Sequence, residues 1–290
     1  MICKCHQVAA AVAPRFRVKT RFAASLCCAL AVFGAGAAQS AETLRYLLTT
    51  SDGKRAGEQI VERGDDGVTR VRFVFKDNGR GPELEERFRL AADGTFAEYE
   101  VNGSAEMGGP VSDRFARDGD QAQWQSLTES GQASVSGAAF YLPREASYAP
   151  VSASIVAAAR ANGQLALLPS GQLIQRKLDE ATVTRGGEVR TVQLLAQTGV
   201  WLAPLFYWAT TGPEPRLFAA IYPGWRVAVE EGWESNVELL EQRQRAAEVA
   251  LLKASASAQQ RPLRGLTVIR NARVFDSHRA RLGAPADVYV

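Results

Sequence analysis

The sequence predicts a mainly β chain of the α+β class. Its centre is a large antiparallel sheet, curved or closed part way to a half-barrel, with one crossing helix and an amphipathic helix near the C-terminus. Three observations predict it. Asp-Gly pairs recur at Asp52-Gly53, Asp66-Gly67, Asp93-Gly94 and Asp118-Gly119, each between β-type runs, and Asp-Gly suits hairpin turns whose central residues take positive φ. Around these pairs the apolar period is two: Val71, Phe73 and Phe75 share one strand face, and Ala122, Trp124 and Ser126 alternate with Gln121, Gln123 and Gln125. Helical patterning is confined to two stretches, so the hairpins build a sheet with one buried face.

Residues 1–41 read as an export signal. A basic stretch ends at Arg21, a charge-free run extends from Phe22 to Ala38, and small residues follow. The alternative is an uncleaved anchor, although Ala and Gly make the run only weakly apolar. Five of the 34 bases and none of the 31 acids precede residue 42, leaving 29 bases against 31 acids in the mature chain. A near-neutral protein offers no electrostatic case for nucleic acid. All four cysteines (Cys3, Cys5, Cys27, Cys28) fall in the leader, so the mature chain folds on its core alone. The expected location is periplasmic or secreted, with no membrane partner after signal cleavage.

The mature chain divides by pattern into a β-rich domain over 42–235, an amphipathic helix over 236–253, a linker over 254–265 and a terminal segment over 266–290. Within the first, residues 151–165 are Ala-rich, with Ile155, Ala158 and Ala159 at helical spacing and Asn162-Gly163 as a stop. Strands resume at 172–177, 181–184 and 189–196, with Gly186-Gly187 as a hairpin turn. Residues 199–233 carry Trp201, Phe206, Tyr207, Trp208, Phe218, Tyr222, Trp225 and Trp233. We read these rings as core between strands rather than as a ligand groove. Ser235-Asn236-Val237-Glu238 has the form of a capping box. Val237, Leu240, Gln244, Ala247 and Leu251 then form a narrow stripe that docks on its own domain. Ala254–Gly265 is small, polar and Pro-containing, which reads as a linker.

Chemistry-bearing residues are sparse. The mature chain has one histidine, His278, and no cysteine, whereas hydrolytic metal sites usually need several nitrogen or sulfur ligands. No GxSxG, phosphate-cradling loop or dinucleotide fingerprint occurs. Two features remain as candidate ligand contacts. Asp77, Asn78 and Arg80 lie in a loop with permissive glycines, residues that also simply build turns. Glu231 and Trp233 lie in an acid-rich stretch that also favours the positive end of the following helix.

The terminal segment carries a resemblance. Leu266-Thr267-Val268-Ile269-Arg270-Asn271-Ala272-Arg273-Val274-Phe275-Asp276, followed by Asp287-Val288-Tyr289-Val290, resembles the opening of an imidazolonepropionase-like member of the amidohydrolase superfamily. In that family two such strands start a small β-sandwich, and a His-x-His pair follows on the first barrel strand. Residues 57–233 are similar to an extra N-terminal domain of some exported members. The resemblance implies a divalent metal such as zinc in a full-length member, hydrolysis of carbon–nitrogen bonds other than peptide bonds, and a barrel that is missing or supplied as a separate partner chain. It implies no catalytic, metal or cofactor residue here, because the chain stops before those positions, and it leads us to expect 266–290 to be poorly packed. The alternative is a non-catalytic periplasmic binding or carrier module, similar to the curved half-barrels of lipid carriers. A metal-free hydrolase using carboxylates such as Glu231 is a third reading.

Overall fold

A computed structural model describes residues 42–261 and 265–290. The expected leader, residues 1–41, lies outside the described residues. Fifteen strands form one large sheet. The first eight are a meander in which each strand pairs antiparallel with the one before it: β1 (Glu42–Thr50), β2 (Arg55–Arg63), β3 (Val68–Phe75), β4 (Glu83–Leu90), β5 (Phe96–Ser104), β6 (Pro110–Asp118), β7 (Gln121–Ser126) and β8 (Ser130–Ser134). The second run is β9 (Ala139–Tyr141), then α1 (Ala149–Arg160), β10 (Gln164–Leu168), β11 (Gln172–Arg185), β12 (Glu188–Thr198), β13 (Leu205–Thr210), β14 (Leu217–Tyr222) and β15 (Arg226–Glu230). The two runs join through an antiparallel β1–β15 pair, with Tyr46 opposite Glu230, and β8 and β9 are the outer strands. One pair departs from the expected antiparallel rule: β9 and β10 are parallel, because α1 returns the chain in the same direction.

The Asp-Gly turns form by a different device from the expected one. Gly53 and Gly67 have φ of 81° and 73°, while their Asp partners are not left-handed. In the first turn the Gly53 amide donates to the Thr50 carbonyl (3.0 Å) and the Thr50 amide to Lys54 (2.9 Å). Gly64 to Val68 repeats this arrangement. These are longer loops with one glycine beyond a turn. The Asp side chain acts as acceptor, as where Asp66 takes the Val68 amide at 2.9 Å.

The two halves of the sheet are buried differently. Strands β3 to β7 turn alternate residues outward, and their outer face is polar. Their inner residues, among them Phe73, Phe88, Phe96, Tyr99 and Phe115, pack with Phe140, Tyr141 and Ile155 of β9 and α1 into the main core. Strands β12 to β15 are covered on both faces, so LFAAIY and RVAVE read as continuous apolar runs. Their second face carries Val192, Leu194, Trp208, Phe218, Val229 and Trp233 beneath helix α2 (Val237–Gln259). Of the aromatic segment, Tyr207, Trp208, Phe218 and Trp233 are core, as expected, but Trp201 and Trp225 are exposed.

Three boundaries differ from expectation. Strands expected at 172–177 and 181–184 are one strand with a bulge between Lys177 and Asp179. The helix runs through Gln259, so 254–259 is not linker; alanines at 254, 256 and 258 are strong helix formers. The capping box does not form. Ser235 sits in a single 3-10 turn (Glu234–Asn236), and Asn236 makes no side-chain cap. Instead the Asn236 side chain accepts from the Thr184 amide and donates to the Thr184 carbonyl, both at 3.0 Å. Two tertiary bonds to β11 therefore outweigh one local cap.

Residues 266–290 form two short ladders, β16 (Val268–Ala272) with β19 (Ala286–Tyr289) and β17 (Phe275–Asp276) with β18 (Arg281–Leu282). No residue in either ladder is buried.

Strand register sorts the turns to two ends. Thr50 lies opposite Arg226, Gly57 opposite Phe75, Glu83 opposite Ser104, and Gln197 opposite Leu205. The β1–β2, β3–β4, β5–β6, β7–β8, β12–β13 and β14–β15 turns therefore share one end of the sheet, hereafter the rim. The start of α1 lies at the rim, and its last residue, Arg160, bonds the Ala92 carbonyl at the opposite end (2.9 Å).

Candidate functional site

The sequence candidates are not brought together. Asp77 and Arg80 bond each other's backbone (2.7 and 2.9 Å) in an exposed turn beside Ala56, at the rim, and Asn78 adopts φ 49° at its apex. Glu231 lies at the other end, where its amide donates to the Arg45 carbonyl (2.9 Å). Trp233 is no surface contact: it is 0% exposed, edge-on to Phe218 at 5.6 Å, with the Arg190 guanidinium 4.4 Å from its ring centre. The flanking acids made the stretch look solvated, yet Glu230 is itself buried. Its carboxylate accepts from Arg190 (2.8 Å) and Arg216 (2.5 Å). Burial alone would raise its pKa, but the two guanidiniums overcome that and hold it below the ordinary value.

The inner face of the sheet holds what the sequence reading missed. A cavity of about 280 Å³ lies between α1 and the inner face of β1 to β4. Leu44, Val61, Phe88 and Leu90 form its sheet wall, and Ala153 and Val156 its helix wall. Its mouth is polar, with Glu42, Arg63, Glu214 and Arg216, and opens away from the rim. Arg216 is fixed by Glu230, and Glu214 by Arg160 (2.5 Å).

Buried acids anchor the segment entering this helix and the strand before it. Glu86 accepts from the Ser147 amide at 2.5 Å and the Ser147 hydroxyl at 2.8 Å, just before α1 begins. Burial raises its pKa to about 7, against the lowering effect of the Ser147 bonds. Asp113 accepts from the Tyr141 hydroxyl at 2.7 Å, and burial raises its pKa as well. The Tyr148 amide donates to the Gln59 side chain at 2.8 Å. All three anchors had a visible signal. Leu84-x-Glu86-x-Phe88, Val111-x-Asp113-x-Phe115 and Gly57-x-Gln59-x-Val61 put a polar residue on the face that the period of two marks as buried.

A larger groove of about 1000 Å³ crosses the outer face of β3 to β8. Its polar residues form a cross-strand ladder in which Arg70 lies opposite Arg87, Arg87 opposite Glu100, and Glu100 opposite Arg114. Arg87 bonds Glu100 (2.7 Å) and Arg70 bonds Asp66 (2.8 Å). Such exposed pairs order a solvated face.

Among the described residues no group of three or more His, Cys, Asp or Glu is placed to hold a metal ion. His278 lies in the exposed turn between β17 and β18, its amide on Asp276 (3.0 Å).

No family model matches the chain. No curated protein matches it. Among solved structures, the chain is similar to a beta-barrel-like protein of the domain of unknown function DUF1849 from Brucella abortus. The identity is 11% and the TM-score 0.42, over 66% of this chain and 94% of that one. The amidohydrolase resemblance is thereby corrected: no family model or curated protein supports it, and the similar structure is a DUF1849 protein. The reading of residues 266–290 as the first strands of an amidohydrolase sandwich rested on that resemblance and goes with it. The motif has a local explanation. Asn271 takes φ 57° where the β16–β19 register shifts between Ile269 and Ala272, so its Asn-Ala step is the turn chemistry of a short bulged ladder.

Proposed function

We propose that this chain is a non-catalytic, β-rich binding module of the cell envelope, whose ligand is a small amphiphile seated between α1 and β1 to β4. The observation that carries this reading is the cavity: apolar walls from Leu44, Val61, Phe88, Leu90 and Val156, and a polar mouth with Arg63 and Arg216. Ligand sites are commonly apolar hollows with a few fixed polar groups, and at about 280 Å³ this one suits a short acyl chain rather than a whole phospholipid. In this reading the strands wrap α1 as a half-barrel, and the leader over 1–41 delivers the chain to the periplasm or beyond.

The test is extraction of the purified protein with organic solvent, followed by titration with medium-chain fatty acids. The expected result is a retained or saturable amphiphile, with binding lost in Val156→Phe, which fills the hollow. No saturable binding, or binding unchanged by that substitution, overturns the reading.

A further inference from the structure

Six large apolar side chains of the sheet and its turns are strongly exposed: Met107, Leu127, Val189, Trp201, Leu202 and Trp225. Five of them stand on the rim. Met107 is on the β5–β6 turn, Leu127 on the β7–β8 turn, Trp201 and Leu202 on the β12–β13 loop, and Trp225 on the β14–β15 turn. Only Val189, beside the β11–β12 hairpin turn, is at the other end. Leu202 is fully exposed and Trp201 is 70% exposed. Scattered single exposures need no explanation, but a concentration on one end does.

Two of these turns are neighbours, since β13 pairs with β14. Neither residues 199–204 (GVWLAP) nor residues 223–225 (PGW) include an ionisable side chain. Trp225 is held in place from below, with the Arg226 guanidinium 4.0 Å from its ring centre and the Tyr222 ring edge-on at 5.7 Å. Arg226 in turn lies 3.6 Å from Glu106 of the β5–β6 turn, so the turn bearing Met107 approaches the turn bearing Trp225.

We propose that the rim is a membrane-contact surface that enters the headgroup region of a bilayer through Trp201, Leu202, Trp225 and Met107. The tips stand on separate turns, with the charged β1–β2 and β3–β4 turns beside them (Asp52, Lys54, Asp77, Arg80). A protein partner or a second copy needs one continuous complementary face. A bilayer accepts separate tips at a common depth, and tryptophan favours its interface. Because the two tryptophan-bearing turns, 199–204 and 223–225, carry no charge, contact depends little on anionic lipid. This inference departs from the expectation of no membrane partner after export, and it does not rest on the cavity reading.

The test uses the full chain and vesicles of phosphatidylcholine with brominated acyl chains, which quench tryptophan on contact. All five tryptophans lie beyond residue 41, so an inserted leader gives no signal of its own. The expected result is quenching in the parent protein. Partitioning falls about tenfold or more in the double variant Trp201→Ser, Leu202→Ser, from the loss of two apolar side chains. It is unchanged in Val189→Ser and shifts less than about twofold with added phosphatidylglycerol. Circular dichroism confirms that the variants fold. Absent quenching, partitioning unaffected by the double variant, or a parent dimer that this variant returns to monomer would overturn the proposal, the last in favour of a second copy.

Discussion

The carboxylate of Glu86, in the middle of β4, accepts the Ser147 backbone amide at 2.5 Å and so ties the segment entering α1 to the wall of the sheet. The Ser147 hydroxyl adds a second bond to the same carboxylate. A helix that forms one wall of the cavity is thus fixed through a group whose protonation changes near neutrality.

That group makes stability depend on pH. Burial raises the Glu86 pKa from 4.5 to about 7, so between these values the folded chain binds the proton that the unfolded chain has lost. Its contribution is fully present below pH 4.5 and fades as pH rises through 7, on the order of a few kcal/mol. Urea unfolding at pH 5 and pH 8 should show the loss. Glu86→Gln should flatten it; an equally steep profile in that variant would assign the effect elsewhere.

Glu230 acts in the opposite direction. Held below its ordinary pKa by Arg216 and Arg190, it contributes stability above the usual carboxylate range that is lost as pH falls through the lowered value. Glu230→Ala leaves two guanidiniums facing each other and should cost about 3 kcal/mol at pH 7. Calorimetry of the variant against the parent measures it. A cost within the scatter of surface substitutions would mean that the arginines find water instead.

Trp233 and Glu231, neighbours in sequence, should behave as unlike residues. Trp233→Ala empties a site between Phe218 and Arg190 and should destabilise by about 3–5 kcal/mol. Glu231→Ala, on an exposed residue, should stay within about 0.5 kcal/mol. Denaturation midpoints of the two variants separate a packed ring from a ligand contact.

Gly57 is required by space. A Cβ there would sit 1.8 Å from the Val74 carbonyl oxygen on β3, whereas at Gly109 it meets nothing within 4 Å. Gly57→Ala should therefore cost about 1–3 kcal/mol as the strands are forced apart, and Gly109→Ala should be close to neutral. Thermal midpoints of both variants give the comparison.

What the sequence discloses follows the range of the interaction. Turn residues and the period of two act over a few positions, so the meander from β1 to β8 and helix α1 were legible. The C-terminal helix was legible too, but its cap was not, because Asn236 bonds Thr184 on a strand 52 residues earlier. Trp233, read both as a core ring and as a candidate ligand contact, is core for the same reason. Its acidic neighbours look exposed until Arg190 and Arg216 arrive from β12 and from just before β14. The cavity was not legible, because no local pattern seats α1 against β1 to β4. The inward polar residues Gln59, Glu86 and Asp113 were the local hint that the inner face holds more than core.

The β1–β15 pair has a further consequence, for the order in which the chain is made. Each of β2 to β7 meets both neighbours within a few dozen residues of synthesis. The other edge of β1 stays open until β15, the last strand of the large sheet in chain order, emerges. Loop closure over that span makes this the slowest pairing to form. A growing chain therefore carries a half-apolar strand with one open edge near its beginning for most of its production.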